Sequence, residues 1–294
     1  MLVIVGYVVV LLSVFGGYAL SGGHLYAMFQ PLELLIIGGA ALGAFFVGNS
    51  IKIIKETIYA VFSTLKGINY SKKFYVELLS LLFEVVNKIK KDGVLSIEAD
   101  LDNQANSKIF NAYPLVKKEA HIMEFLCDYL NLIITGRVNT HQLEDLISQD
   151  IETYECEQEQ PIQAINKIAD ALPAFGIVAA VMGVVHTMES MGSIPPAQLG
   201  ALIAKALVGT FLGVLLSYGF AAPLASLLEH KLHASLKVLN AIKIVLLASV
   251  NNFSPSMAVE FGRKIIYAKE RPNGIELAVI LKAIKQNTTS LQNE

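Results

Sequence analysis

Few side chains in this sequence are placed to do chemistry. His230 and His233 stand one helical turn apart, but no carboxylate motif completes a metal site around them. His24, His121, His141 and His186 form no recognisable cluster either. Cys127 and Cys156 lie in charged stretches outside any metal-ligand spacing and read as reduced structural residues. No nucleophile elbow, P-loop or HExxH is present, so no enzyme reading has a motif behind it, and no catalytic or metal-binding residue is assigned. What the sequence does repeat is a face of small residues on an apolar helix. Gly176, Ala180, Gly183 and Thr187 recur at helical spacing in a stretch free of formal charge between Asp170 and Glu189. Ala206, Thr210, Gly213 and Ser217 repeat the pattern on a second apolar run. Such a face suits simple helix packing, close approach by a partner helix, or a narrow path for a small ion.

The elements that carry these faces follow from composition. In 294 residues, 54% are hydrophobic, and the mean hydropathy is +0.53. That balance indicates an integral membrane protein, and a net charge of −2 argues against a nucleic-acid partner. Four spans are expected: Leu2–Leu20, Leu34 to about Ile51, the stretch from Ala171, and a long run from Leu199 to Leu228. Absence of a basic n-region argues against reading the first as a cleaved signal peptide. The fold class is therefore an all-α integral membrane protein with four transmembrane helices and a large helical cytoplasmic domain. Its expected divisions are a hairpin of spans one and two at 1–51, a cytoplasmic helical domain at 52–170, a hairpin of spans three and four at 171–228, and cytoplasmic C-terminal helices and tail at 229–294. The block from Lys52 to Lys167 holds thirteen of the 23 Lys and Arg, while the connectors at 21–33 and 189–198 hold none. The positive-inside rule then places both termini in the cytoplasm.

Punctuation is legible in the polar parts. Phe74, Leu78, Leu81, Val85 and Ile89 form an amphipathic stripe that stops at Asp92-Gly93. Pro114 can open a helix that Gly136 ends, and Asn139 with Gln142 resembles a capping box. The helix after that box is expected to pass through an acidic run into the third span. Ser254-Pro255 caps a short helix ending near Glu270, and a last helix covers about Ile275 to Lys285, with a disordered tail from Asn287. Gly39-x-x-x-Gly43 and Gly209-x-x-x-Gly213 are both small-residue packing motifs.

The spans hold almost no ionisable group. Lys205 lies in the outer part of the fourth run, and Glu33, His186 and Glu189 lie at the outer rim. A proton or cation path needs a mid-depth acid. This chain alone is half of a path, and a partner helix would have to supply the acid.

The run Leu172-Pro173-Ala174-Phe175-Gly176-Ile177-Val178-Ala179-Ala180-Val181-Met182-Gly183-Val184-Val185 resembles the MotA-type flagellar stator subunits. So do Val14-Phe15-Gly16-Gly17-Tyr18, Gln30-Pro31-x-Glu33-Leu34, Val208-Gly209-Thr210-Phe211-Leu212-Gly213, Val259-Glu260-Phe261-Gly262-Arg263-Lys264 and Glu270-Arg271-Pro272. The likeness extends over nearly the whole chain. It implies a subunit of the MotA/TolQ/ExbB proton channel family in the bacterial inner membrane, with five copies around two MotB-type chains that supply the mid-membrane Asp. It implies torque on the rotor protein FliG, with the proton as coupling ion and no cofactor. Pro173 and Pro223 match prolines linked to coupling ion passage to shape change. Glu98 matches a rotor-facing acid, and Lys90 stands where the family's usual companion is Arg, keeping the charge but not the forked donor set. Without the resemblance both are ordinary surface charges.

Sodium-driven relatives carry Thr where Ala180 stands, whereas Thr210 is shared by both kinds. A sodium ion needs oxygen ligands that Ala179 and Ala180 lack, so proton drive is expected. The alternative function is a proton-driven energiser of outer-membrane processes of the ExbB or TolQ type; the N-terminal hairpin and the Lys90–Glu98 segment favour the stator. A passive membrane scaffold is the third reading.

Overall fold

The computed structural model describes residues 2–64, 70–136, 138–189 and 195–290, and among these there is no strand. Four helical runs are long and apolar enough to cross a membrane: Leu2–Leu20, Leu25–Gly48, and stretches of Thr140–Glu189 and Gln198–Val250. Packing divides the chain into two units, 1–67 with 157–230, and 68–156 with 231–294. The expected divisions at 51, 170 and 228 follow changes of composition. Packing draws its lines elsewhere, because the helices Thr140–Glu189 and Ala222–Val250 continue unbroken past those changes.

In the membrane unit, the first span is an α-helix interrupted by a π turn at Leu12–Gly16, and none of its residues is buried. The second span, Pro31–Gly48, opens with Pro31 at its first position, where a missing N–H costs nothing. It buries Ile37, Ala41 and Phe45, one residue per turn of a single face. Ile37 and Ala41 pack with Leu172, Ala179, Val208 and Leu212 of the third and fourth spans. The fourth hydrophobic run is not one uniform helix. Pro196–Leu216 gives way to a π turn, Ser217–Ala221, and then to Ala222–Val250. Pro223 lies two residues after that turn. A proline lacks the donor for the carbonyl one turn back, and a local π adjustment is a common way for a membrane helix to absorb the loss.

The polar unit is built on Lys72–Asp92, capped by Ser71, whose hydroxyl accepts from the Phe74 N–H, and ended by Gly93 at φ +89°. Phe74, Leu78, Leu81 and Val85 of the expected stripe are fully buried. The expected Pro114–Gly136 helix is two pieces, Pro114–Lys117 and Ala120–Thr135, the second ended by Gly136 in the left-handed region at φ +62°. Asn139 and Gln142 form the reciprocal box, with Gln142 N–H donating to Asn139 Oδ1 at 2.9 Å and Asn139 N–H to Gln142 Oε1 at 3.1 Å. The helix capped by Ser254 runs over Pro255–Ile265 and stops short of Glu270. Arg271 explains the early stop: its guanidinium donates to the carbonyls of Ile266 and Lys264 at the helix end, both at 3.0 Å. The last helix is longer than expected, Gly274–Ser290, so the segment from Asn287 to Ser290 is helical and not a disordered tail. Arg263 is buried and binds both Glu260 oxygens and the Pro272 carbonyl. That clamp accounts for the Glu260, Arg263 and Pro272 positions of the C-terminal motifs.

Candidate functional site

The small faces of the third and fourth spans lie against each other. A Cβ built at Gly176 would stand 2.9 Å from the Gly209 carbonyl oxygen and 3.1 Å from the Gly213 Cα. One built at Gly213 would stand 2.6 Å from the Leu172 carbonyl oxygen, and one at Gly183 would meet the Ala206 methyl at 2.7 Å. At Gly176 and Gly213 these are contacts of backbone on backbone, and at Gly183 of backbone on a methyl, that only glycine permits. Simple packing therefore accounts for Gly176, Gly183, Gly209 and Gly213, and at these positions the two helices approach too closely to admit a side chain. Lipid offers no hydrophobic drive for helix association, so close approach of this kind is what holds two spans together.

The second span adds a carboxylate to this seam. Glu33 lies one turn before Ile37 on the buried face of Pro31–Gly48, so it points toward the neighbouring spans although it stands near the start of its own helix. Its Oε2 is 2.9 Å from where a Cβ at Gly209 would be, and its Oε1 is 3.6 Å from the equivalent point at Gly183. Oε2 is buried and makes no hydrogen bond. A buried acceptor without a donor costs roughly 1–3 kcal/mol, so this atom asks for an explanation. Glu33 sits in the first turn of its helix, where exposed N–H groups favour negative charge. The sequence held a signal for it: Glu33 is in four-residue register with Ile37, Ala41 and Phe45.

The other expected residues fall at different places. Ala180 is buried at the seam, its backbone nitrogen 3.3 Å from where a Gly209 Cβ would stand. Thr210 is half-buried on the facing helix, its Cα near Gly176. Pro173 lies inside the long helix next to Leu172, whose carbonyl meets Gly213. The same helix contains a second interior proline, Pro161, which is buried. Pro223 is exposed and follows the π turn.

Lys90 and Glu98 belong to the polar unit and differ in their commitments. Lys90 donates to the carbonyls of Asn252 and Phe253 at 3.0 and 3.1 Å. Asn252 is left-handed at φ +62° and closes the end of Ala222–Val250, so Lys90 caps that helix terminus. Glu98 starts the short helix Glu98–Asp102, is exposed, and makes no ion pair among the described residues. Lys91 is exposed as well.

Two family models match this chain: motility protein A N-terminal over residues 4–93, and the MotA/TolQ/ExbB proton channel family over residues 117–241. Motility protein A of Salmonella typhimurium is 48% identical over 97% of this chain and 96% of its own length. The chain belongs to the motility protein A family. Motility protein A of Escherichia coli is 47% identical over 99% of both chains. In fold, the chain is similar to a chain in the structure of C. jejuni MotAB, with a TM-score of 0.76 at 18% identity over 90% of this chain and 95% of that one. A chain in the flagellar MotAB stator complex from Bacillus subtilis gives 0.73 at 20% identity over 91% and 96%. The family is one of motility proteins and proton channels, and the all-α membrane fold agrees with it.

Proposed function

We propose that this chain is a flagellar motor stator subunit that, with a MotB-type partner, conducts protons across the inner membrane and turns their flow into torque on FliG. The observation that carries the reading is the close-packed, acid-poor seam. The third and fourth spans meet backbone to backbone, and the carboxylate at their contact is Glu33, held near the outer end with an unpartnered oxygen. No Asp or Glu lies between Asp170 and Glu189, or in the fourth run before Glu229. A proton that reaches mid-depth therefore needs an acid from another chain. Full-length identity to motility proteins supports the stator over the ExbB or TolQ reading, since the match includes the N-terminal hairpin.

In this mechanism Glu33, whose oxygen lies at the seam without a partner, receives the proton from the outer side. The partner's Asp takes it next, beside Ala180 and Thr210. Neutralising that Asp removes a buried charge and changes how its helix packs against a ring of these chains, five around two partners. Pro173 and Pro223 let the spans yield, and the polar unit carries the motion to the rotor in the cytoplasm. Glu98 and Lys91 are the charges available to meet it, and Lys90 holds the helix end between them and the core. Proton uptake by cells expressing the chain with its partner tests the reading. Uptake that needs both chains supports it, and uptake absent from the pair, or swimming that survives deletion of this chain, contradicts it.

A further inference from the structure

The first span has no buried residue, yet it makes one directed contact. Val3, Tyr7 and Val10 form its half-buried stripe, at helical spacing. The Tyr7 hydroxyl donates to the carbonyl of Phe220 at 3.1 Å, and the two rings lie 4.9 Å apart with a 33° tilt. Phe220 lies inside the π turn Ser217–Ala221. Next to it, a Cβ on Gly219 would be 3.1 Å from a Val10 methyl, so the first span rests closely on the turn. Two turns further along, Phe15 meets Phe211 edge to face at 6.2 Å. The pairings 7 with 220, 10 with 219 and 15 with 211 mark two antiparallel helices in register.

A π turn is a helix with one residue too many in a turn. Its hydrogen bonds can pass to the α pattern and back by a register shift, which is why such turns recur at functional sites. Here the turn ends two residues before Pro223, where the helix is already short of a donor. A side chain that holds a carbonyl of the turn favours one register over the other. In lipid no water competes for that carbonyl.

We propose that Tyr7 is a positioning residue for the Pro223 hinge: its hydroxyl holds the Phe220 carbonyl and fixes the π turn in its resting register, and letting go of that carbonyl is part of each coupling step. This rests on the reading of Pro223 as a coupling residue in a proton-driven stator. The first span is then a brace on the moving part of the fourth, beyond its role as a membrane anchor. The contact needs no proton transfer, since the phenol donates in one state and releases in the other.

Tyr7→Phe keeps the ring and removes the donor, so it separates bracing from simple packing. Membrane level and partner capture of the variant are read first, then torque at high load and proton flux in the same cells. The expected result is unchanged assembly with torque per proton changed by about threefold, the factor carried by an ordinary hydrogen bond between membrane helices. In a Pro223→Ala background the same change should add nothing, because both act on one hinge. Torque and flux equal to wild type, or falling together in proportion to lost assembly, overturn the proposal. So does a full additive effect on top of Pro223→Ala. Wild-type cells that pass no protons would instead overturn the stator reading itself, so the two failures are distinguishable.

Discussion

The two units bury helix against helix by opposite means. In the polar unit, Lys72–Asp92 is covered by large side chains: Phe74, Leu78, Leu79, Leu81, Leu82, Phe110, Leu126 and Leu130 are all fully buried. Water drives that core together, and ordinary apolar side chains fill it. In the membrane unit, the third and fourth spans meet closely at Gly176, Gly183, Gly209 and Gly213, where an added Cβ would stand within about 3 Å of its neighbours. Their larger side chains, Ile177, Val181, Met182 and Val185, point outward and are exposed. A side chain inside the polar core can be trimmed or exchanged at graded cost. A single methyl added to the seam has no place to go. The charged groups differ as well: in the polar unit Arg263 pairs with Glu260 and Lys88 with Asp100, while Glu33 at the seam keeps one bare oxygen.

The largest effect should come from closing this contrast. Gly213→Ala puts a methyl 2.6 Å from the Leu172 carbonyl, a backbone atom that cannot rotate away. Swimming and the amount of assembled complex should both collapse, whereas Gly39→Ala, with nothing within 4 Å in this chain, should insert and fold normally. A tolerated Gly213→Ala would mean that the spans do not meet as described.

Glu33→Leu removes the unpaired carboxylate from the seam. Removing a buried, unpartnered oxygen should stabilise the resting packing, by roughly 1–3 kcal/mol, while lowering proton uptake. Thermal unfolding of the purified complex and uptake in cells should move in opposite directions. A variant that loses both would make Glu33 a structural residue.

On the polar unit the effects should be smaller. Lys91→Glu with Glu98→Lys should weaken swimming without altering membrane level, each exposed pair contributing about 0–1 kcal/mol. Lys90→Gln should act differently, costing about 0.3–1 kcal/mol of stability through the lost helix cap. If Lys90→Gln impairs rotation with stability unchanged, its contact is with the rotor and not with Asn252 and Phe253.

The smallest effect is one of pH. His121 stacks on Tyr154 with centroids 4.2 Å apart, and burial holds it below its ordinary value of 6.5. Below pH 6.5 the unfolded chain takes up this proton more readily than the folded one, so stability falls with falling pH. His121→Gln should flatten the melting temperature between about pH 7 and 5, the range in which histidine titrates. An unchanged slope would place the pH dependence elsewhere.

Much of this was legible in the sequence, for physical reasons. Caps and breakers are local, so Ser254, Gly93, Gly136 and the Asn139–Gln142 box announced helix ends without knowledge of the fold. Partnership is not local. Gly39-x-x-x-Gly43 and Gly209-x-x-x-Gly213 are the same pattern, yet only the second meets another helix in this chain. The early end at Ile265 depended on Arg271 folding back onto carbonyls, which spacing alone does not reveal. Glu33 was visible as an acid at a span's start, but its inward aim required comparison with the buried register of Ile37, Ala41 and Phe45. Lys90 was legible as a charge, and its target, two carbonyls some 160 residues away, was not.

Swimming speed under exchange of external ions is the direct test of proton drive. In cells that depend on this chain, replacing Na⁺ by K⁺ should leave speed unchanged, and a protonophore should stop rotation. Ala180 carries no side-chain oxygen, so at that position a sodium ion finds no side-chain ligand to replace its water. Speed that follows external Na⁺ and survives the protonophore would contradict proton drive and the role given to Ala180.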